Sequence, residues 1–365
     1  MRKIVFVLLM LSRTAFGQQS AHYIEAGYFY GNILALSPDS HAFLQGHPSG
    51  FFTSYNVQNL GTEAWHAHYN YPDTGYSFSY QNLQSDILGE IYALYKHYNF
   101  YLFERLAKNK LILSTGLGLG YATHPYDKVH NNKNIAFASH LNTSSYFRLS
   151  YQRAGISPHL NLHLGLLFMH TSNSNIKSPN AGVNSWGLSL GLSYDTQSPD
   201  QPLELTPKVE DTLFSEPIKL NIAFKSGVNE SKIIGSGVKP FWVLSAYADK
   251  RLNRKSALQL GMEAFHTPML KDYYNLSLTN PRIELAEPNN FLRVGAFVGH
   301  ELFINKLSLE TQVGYYVKYP FKYASRVYES IALKRYFNKR WFAVIRLKVH
   351  MLDAESIGFG VGIRL

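Results

Sequence analysis

Residues 160–172 alternate strictly. Leu160, Leu162, Leu164, Leu166, Phe168, His170 and Ser172 fall on one face; Asn161, His163, Gly165, Leu167, Met169 and Thr171 fall on the other. Residues 184–194 repeat the pattern, with Asn184, Trp186, Leu188, Leu190, Leu192 and Tyr194 opposite Ser185, Gly187, Ser189, Gly191 and Ser193. A period of two is the signature of a β-strand. One apolar face set against a face of Ser and Gly suits the wall of a barrel whose interior is packed with small side chains. A sandwich core strand could alternate in the same way. The apolar faces run for about ten residues, the length a tilted strand needs to cross a bilayer. The pattern returns at 307–318 and 356–365.

The same reading predicts about eight strands in the first half, near 22–33, 50–58, 74–82, 88–103, 110–122, 143–153, 157–172 and 184–195, and about as many in the second, joined in many places by tight polar turns. The stretch 196–216, rich in Pro, Asp and Glu, is the candidate linker between a half spanning 18–195 and a half spanning 217–365. The halves share local sequence. NKLILSTGLGLGYAT at 109–123 is similar to NKLSLETQVGYYVKY at 305–319, and NSWGLSLGLSY at 184–194 to ESIGFGVGIRL at 355–365. A duplicated unit follows. Strand counting leaves open one wide transmembrane antiparallel β-barrel of roughly 12–16 strands or two small barrels.

Composition narrows the classes. With 45% apolar, 15% aromatic and 16% charged residues, the chain is neither disordered nor typical of a soluble domain. No run of ~18 apolar residues follows the N-terminus, which excludes a helical membrane protein. The absence of Cys excludes disulfides, thiolate metal sites and Cys nucleophiles. Arg2 and Lys3, the apolar run Ile4–Leu11 and the small residues around Ala15 and Gly17 predict a secretory signal over residues 1–17. Its three basic residues taken from the 35 leave a mature net charge of +7 against 25 acidic groups. In an exported protein such a surface suits the phosphates of lipopolysaccharide better than nucleic acid.

Several features have ordinary readings. Gly116, Gly118 and Gly120 form GxGxG, but they alternate with Leu117, Leu119 and Tyr121, so they are inward-facing strand residues rather than a phosphate loop. The fifteen histidines contain no HExxH, and His66 and His68 make the one close pair, so no metal or other cofactor is implied. Arg251, Arg254 and Lys255 read as interfacial anchors. The constellation His170-Thr171-Ser172-Asn173, followed by Pro179-Asn180, Gly182 and Asn184, leaves two readings open. Polar residues capping an apolar ladder can be rim decoration. A His and a Ser on one face are also what nucleophilic catalysis on an ester requires, and a lipid-facing pair would meet an acyl ester without extracting it.

That HxSN…PN…G hairpin resembles the lipid A 3-O-deacylase (PagL-type) family, and more closely its acyloxyacyl hydrolase relatives in Bacteroidota. Gly46-His47-Pro48, Trp65 with Tyr69-Asn70-Tyr71-Pro72, and NNKNIAFASHLN at 131–142 fit those relatives too. The resemblance implies an outer-membrane esterase removing acyl chains from lipid A. Ser172 would be the nucleophile and His170 the general base. Asn180 and Asn173 would polarise the oxyanion or order the hairpin. The family's third catalytic member is a Glu where this chain has Asn184. Asn184 can orient the imidazole but carries no charge, which implies a slower enzyme, an acid borrowed from elsewhere, or a silent barrel. In the second half Glu355 falls at the position equivalent to Asn184. There His350 faces inward and Met351-Leu352 stand where a Ser would be needed, so no second site is expected. The hairpin 173–183 is expected to be surface-exposed, with Ser178 accessible.

Overall fold

The computed structural model describes residues 21–34, 46–197, 204–206, 214–280, 291–320, 324–351 and 353–365. The signal segment 1–17 and most of the 196–216 linker lie outside them. Among the described residues, sixteen strands form two closed antiparallel barrels of eight each.

The first contains β1 (His22–Ile33), β2 (Ser49–Val57), β3 (Asp73–Asn82), β4 (Glu90–Tyr101), β5 (Asn109–Ala122), β6 (Leu141–Ser157), β7 (Leu160–Ser172) and β8 (Val183–Asp195). It closes where β1 pairs with β8, Tyr28 opposite Leu190. The second contains β9 (Lys219–Asn229), β10 (Lys239–Arg251), β11 (Ser256–His266), β12 (Leu292–Ile304), β13 (Leu307–Lys318), β14 (Val327–Tyr336), β15 (Trp341–His350) and β16 (Asp353–Arg364). It closes where β9 pairs with β16, Ile222 opposite Ile363. Of the two arrangements left open by strand counting, the chain adopts two small barrels, not one wide one. Eight strands enclose a lumen that side chains can just fill.

Filling is what both lumens show. In the first, Glu25 pairs with Arg148 at 2.7 Å and Asp73 with Arg105 at 2.7 Å, and Tyr23 donates to the same aspartate at 3.0 Å. The cavity bounded by Glu25, Phe52, His97 and Arg148 measures about 20 Å³, room for about one water. Gly116 points inward as the alternation predicts, and a Cβ there would lie 2.2 Å from the Tyr146 ring. The second lumen is more heavily charged. Lys225 and Arg346 flank Glu263 at 2.9 and 2.7 Å, Lys334 reaches Glu301 at 3.0 Å, and Arg293 and Lys348 flank Glu355 at 2.6 and 2.9 Å. Outward, both barrels present apolar ladders. Leu164, Leu166, Leu188 and Leu190 are each more than half exposed in the first barrel, as are Leu244, Leu260, Val298 and Val361 in the second.

The barrels touch at both ends. At one end Tyr69, beside the short helix α1 (Ala64–His68), donates to Phe303 O at 2.7 Å, and Lys255 Nζ donates to His68 O at 3.0 Å. Lys255, read as an interfacial anchor, thus joins the barrels. Arg251 stacks on Phe303 at 3.9 Å and pairs with Glu216. His66 lies in α1, buried, and its Nδ1 accepts from the Glu63 amide at 3.4 Å. At the other end the β7–β8 hairpin meets the second barrel.

Candidate active site

The site lies where β7 ends and β8 begins. In an antiparallel pair, directly opposed residues project to the same face. The register sets His170 opposite Asn184 and Phe168 opposite Trp186, both pairs on the outward apolar face. Two residues on from His170, and so on that same face, stands Ser172, paired with Thr143 of β6. The three side chains expected together from the alternation are in contact. His170 Nδ1 lies 2.7 Å from Asn184 Oδ1, and His170 Nε2 lies 3.0 Å from Ser172 Oγ.

The hydrogen bonds select the tautomer. Asn184 Oδ1 has lone pairs and no proton, so the bond to Nδ1 requires Nδ1 to carry the hydrogen. Nε2 then presents its lone pair to the Ser172 hydroxyl, the arrangement a general base needs. Ser172 is only 6% exposed although it faces outward. Its carbonyl accepts from Thr143 Oγ1 at 2.8 Å. The 131–142 stretch is tied to the same hairpin. Asn134 folds this stretch by accepting from the Ala136 and Phe137 amides, and it binds the hairpin through Ala181 N–H to Ile135 O (3.0 Å) and Gly182 N–H to Ala136 O (3.1 Å). Gly182 has φ +70°, a conformation glycine adopts without strain, and a Cβ there would stand 3.1 Å from Ser172 Cβ and 3.3 Å from His170 Cε1. Behind the site, inward-facing Leu167, Met169 and Val183 pack with Phe29, Leu83 and Phe137 into an apolar plug.

Asn173 and Asn180 brace the hairpin. The Asn173 amide donates to Asn180 Oδ1 at 2.8 Å, and Asn173 Nδ2 donates to Lys177 O at 2.8 Å.

Two expectations are corrected. The hairpin is not freely exposed: Asn173, Ser174, Asn175 and Ser178 are all buried, while Ile176 and Lys177 are exposed. A polar loop reads as surface in a sequence, and what covers this one is the second barrel. Glu355 is also not a lipid-facing counterpart of Asn184. Lys348 pairs with Ser356 and Val349 with Ala354, so Glu355 is the extra residue of a β-bulge. The bulge turns it into the lumen, where His350 Nε2 lies 2.7 Å from Glu355 Oε2. His350 is inward as expected; Leu352 lies outside the described residues. Thr143, Asn134 and Asn175 escape the sequence reading because nothing in their spacing separates them from ordinary loop and strand polar residues.

The geometry defines the class as an eight-strand antiparallel barrel with a serine, a histidine and an amide in contact on its outward apolar face. The comparisons with known proteins agree with it. The family model for lipid A 3-O-deacylase (PagL) matches residues 49–193, and that for the acyloxyacyl hydrolase C-terminal domain matches 218–365. One match lies within each barrel, and the chain belongs to the PagL-type family. Membership implies a hydrolase acting on lipid A esters. No curated protein matches. Among solved structures, a triple mutant of Rhodopseudomonas blastica porin matches at 6% identity over 94% of this chain and 99% of its own, with a TM-score of 0.17. A second mutant of that porin matches at 8% identity over the same shares, with a TM-score of 0.20. Scores that low carry no argument.

Proposed function

We propose that this protein is an outer-membrane esterase that removes ester-linked acyl chains from lipid A by a Ser-His mechanism. The observation that carries the reading is the outward-facing His170, hydrogen-bonded on one side to Asn184 and on the other to Ser172. His170 Nε2 takes the Ser172 proton as Oγ attacks the ester carbonyl. Collapse of the tetrahedral adduct expels the alcohol oxygen of the ester, which takes the proton back from the imidazolium. Water then adds to the acyl-serine with His170 again as base, releasing the fatty acid. Asn180, ordered by its bond to the Asn173 amide, offers its NH2 to the developing oxyanion. The membrane location rests on the outward apolar ladders, on family membership and on the expected leader over residues 1–17. The surface charge suits lipid A phosphates as partner.

One observation favours a second reading, a catalytically silent barrel: Asn184 gives the imidazolium no counter-charge. A porin-like role has less support, because ion pairs cross both lumens. The test is mass spectrometry of lipid A from cells with the intact protein, with Ser172→Ala, and without either. Loss of an acyl chain only with the intact protein is expected. Unchanged lipid A in all three leaves the silent barrel, and heat-modifiable migration on gels verifies that each barrel assembled.

A further inference from the structure

The β7–β8 hairpin is gripped by the second barrel at a buried polar junction. Asn175 Nδ2 donates to Glu230 O and to Glu355 O, each at 3.1 Å, and the Glu230 amide donates back to Asn175 O at 3.3 Å. The Ser178 amide donates to Glu230 Oε2 at 2.9 Å, and Ser178 Oγ donates to Ser231 O at 2.7 Å. Glu230 is 3% exposed, and its other oxygen accepts from the Gly237 amide at 2.9 Å, so one carboxylate spans the hairpin and the β9–β10 loop. A buried carboxylate must be hydrogen-bonded to be tolerated, and here the hairpin supplies one of the two donors. Asn175 sits at φ +64° and Ser174 at +56°, so the hairpin backbone takes an uncommon course at the point of grip.

The grip leads to the nucleophile through short links. Ser178 follows Lys177, whose carbonyl accepts from Asn173, and Asn173 adjoins Ser172. On the far side, the Glu355 carbonyl that receives Asn175 belongs to the bulge residue whose carboxylate is fixed by Arg293, Lys348 and His350. We infer that the second barrel is a positioning element for the Ser172 hairpin, acting through Glu230 and Asn175. This rests on the esterase reading for its consequence, though not for the contact itself. The physical reason is orientation: a displacement of ~1 Å in a catalytic group can cost on the order of 100-fold in rate. Hairpin tips on their own are among the most mobile parts of a fold.

The test uses the full-length protein. The chain has no cysteine, so Lys177→Cys on the exposed hairpin face takes a single spin label. In that background Glu230→Ala removes the carboxylate, Glu230→Gln keeps its shape and one acceptor, and Asn175→Gly removes the amide while suiting the positive φ. The label is expected to gain mobility in Glu230→Ala and Asn175→Gly. kcat for ester release from lipid A should fall about tenfold or more with KM held within about twofold, and Glu230→Gln should recover part of the loss. Unchanged label mobility in both Glu230→Ala and Asn175→Gly overturns the proposal. Raised mobility with unchanged kcat shows a grip without a positioning role and overturns it as well. An unlabelled parent that releases no fatty acid overturns the esterase reading instead, and label mobility alone then decides whether the second barrel holds the hairpin.

Discussion

The two barrels treat the same position in opposite ways. In the first, β7 and β8 run in unbroken register to the rim, and Asn184 stays on the outward face against His170. In the second, one extra residue in β16 turns the matching Glu355 inward, where Arg293, Lys348 and His350 surround it. The resemblance implies a carboxylate beside the histidine of the family's site, and the second lumen holds such a pair in His350 and Glu355. In the lumen the carboxylate is 2% exposed and saturated by cations. The comparison teaches that strand parity at a rim decides whether the residue beside a His faces outward or helps to hold a lumen together. A single inserted residue is enough to change the outcome.

The comparison breaks most decisively at Ser172, the proposed nucleophile. Ser172→Ala is expected to lower ester release by at least ~10³-fold while the barrels still assemble. Fatty-acid release together with heat-modifiable migration measures both. Next comes the inward carboxylate. Glu355→Ala strands Arg293 and Lys348 without their counter-charge, at a cost of about 3–5 kcal/mol to the second barrel. Thermal unfolding monitored by circular dichroism should show a clearly lower midpoint. Asn184→Ala at the outward position should leave that midpoint in place.

The outward position is sharpened by supplying the missing charge. A carboxylate near a surface imidazolium is worth on the order of 1–4 kcal/mol. Asn184→Glu should therefore raise the rate by about tenfold or more, and Asn184→Ala should lower it. Equal rates in all three proteins would make Asn184 a rim residue with no part in the site. The smallest effect belongs to the exposed pair Lys232–Asp353, 2.6 Å apart beside the bulge and more than half exposed on both sides. Lys232→Ala should change the unfolding free energy by no more than about 0.5 kcal/mol.

Much of the site was legible because it depends on parity alone. Alternation along 160–172 and 184–194 set His170, Ser172 and Asn184 on one face. The register of a hairpin whose strands pair directly did the rest. The strand positions in the first half were readable to within a few residues for the same reason, apart from β6, which runs on to Ser157. Barrel closure was not legible. The pairings of β1 with β8 and of β9 with β16 are backbone hydrogen bonds between distant segments, and they leave no mark on side-chain pattern. The bulge at Glu355 was hidden because an inserted residue looks like any other until its partners are known. The burial of Asn175 and Ser178 was hidden because their cover lies on the other barrel.

The outward placement of Ser172 and His170, continuous with a ladder of exposed leucines, sets the kinetics the proposed enzyme would obey. It would meet substrate by diffusion within a leaflet. Its velocity would then follow the mole fraction of lipid A among the surrounding amphiphiles rather than its bulk molarity. Diluting micelles with buffer would leave the specific rate unchanged. Diluting the substrate with inert detergent at constant lipid A concentration would lower it.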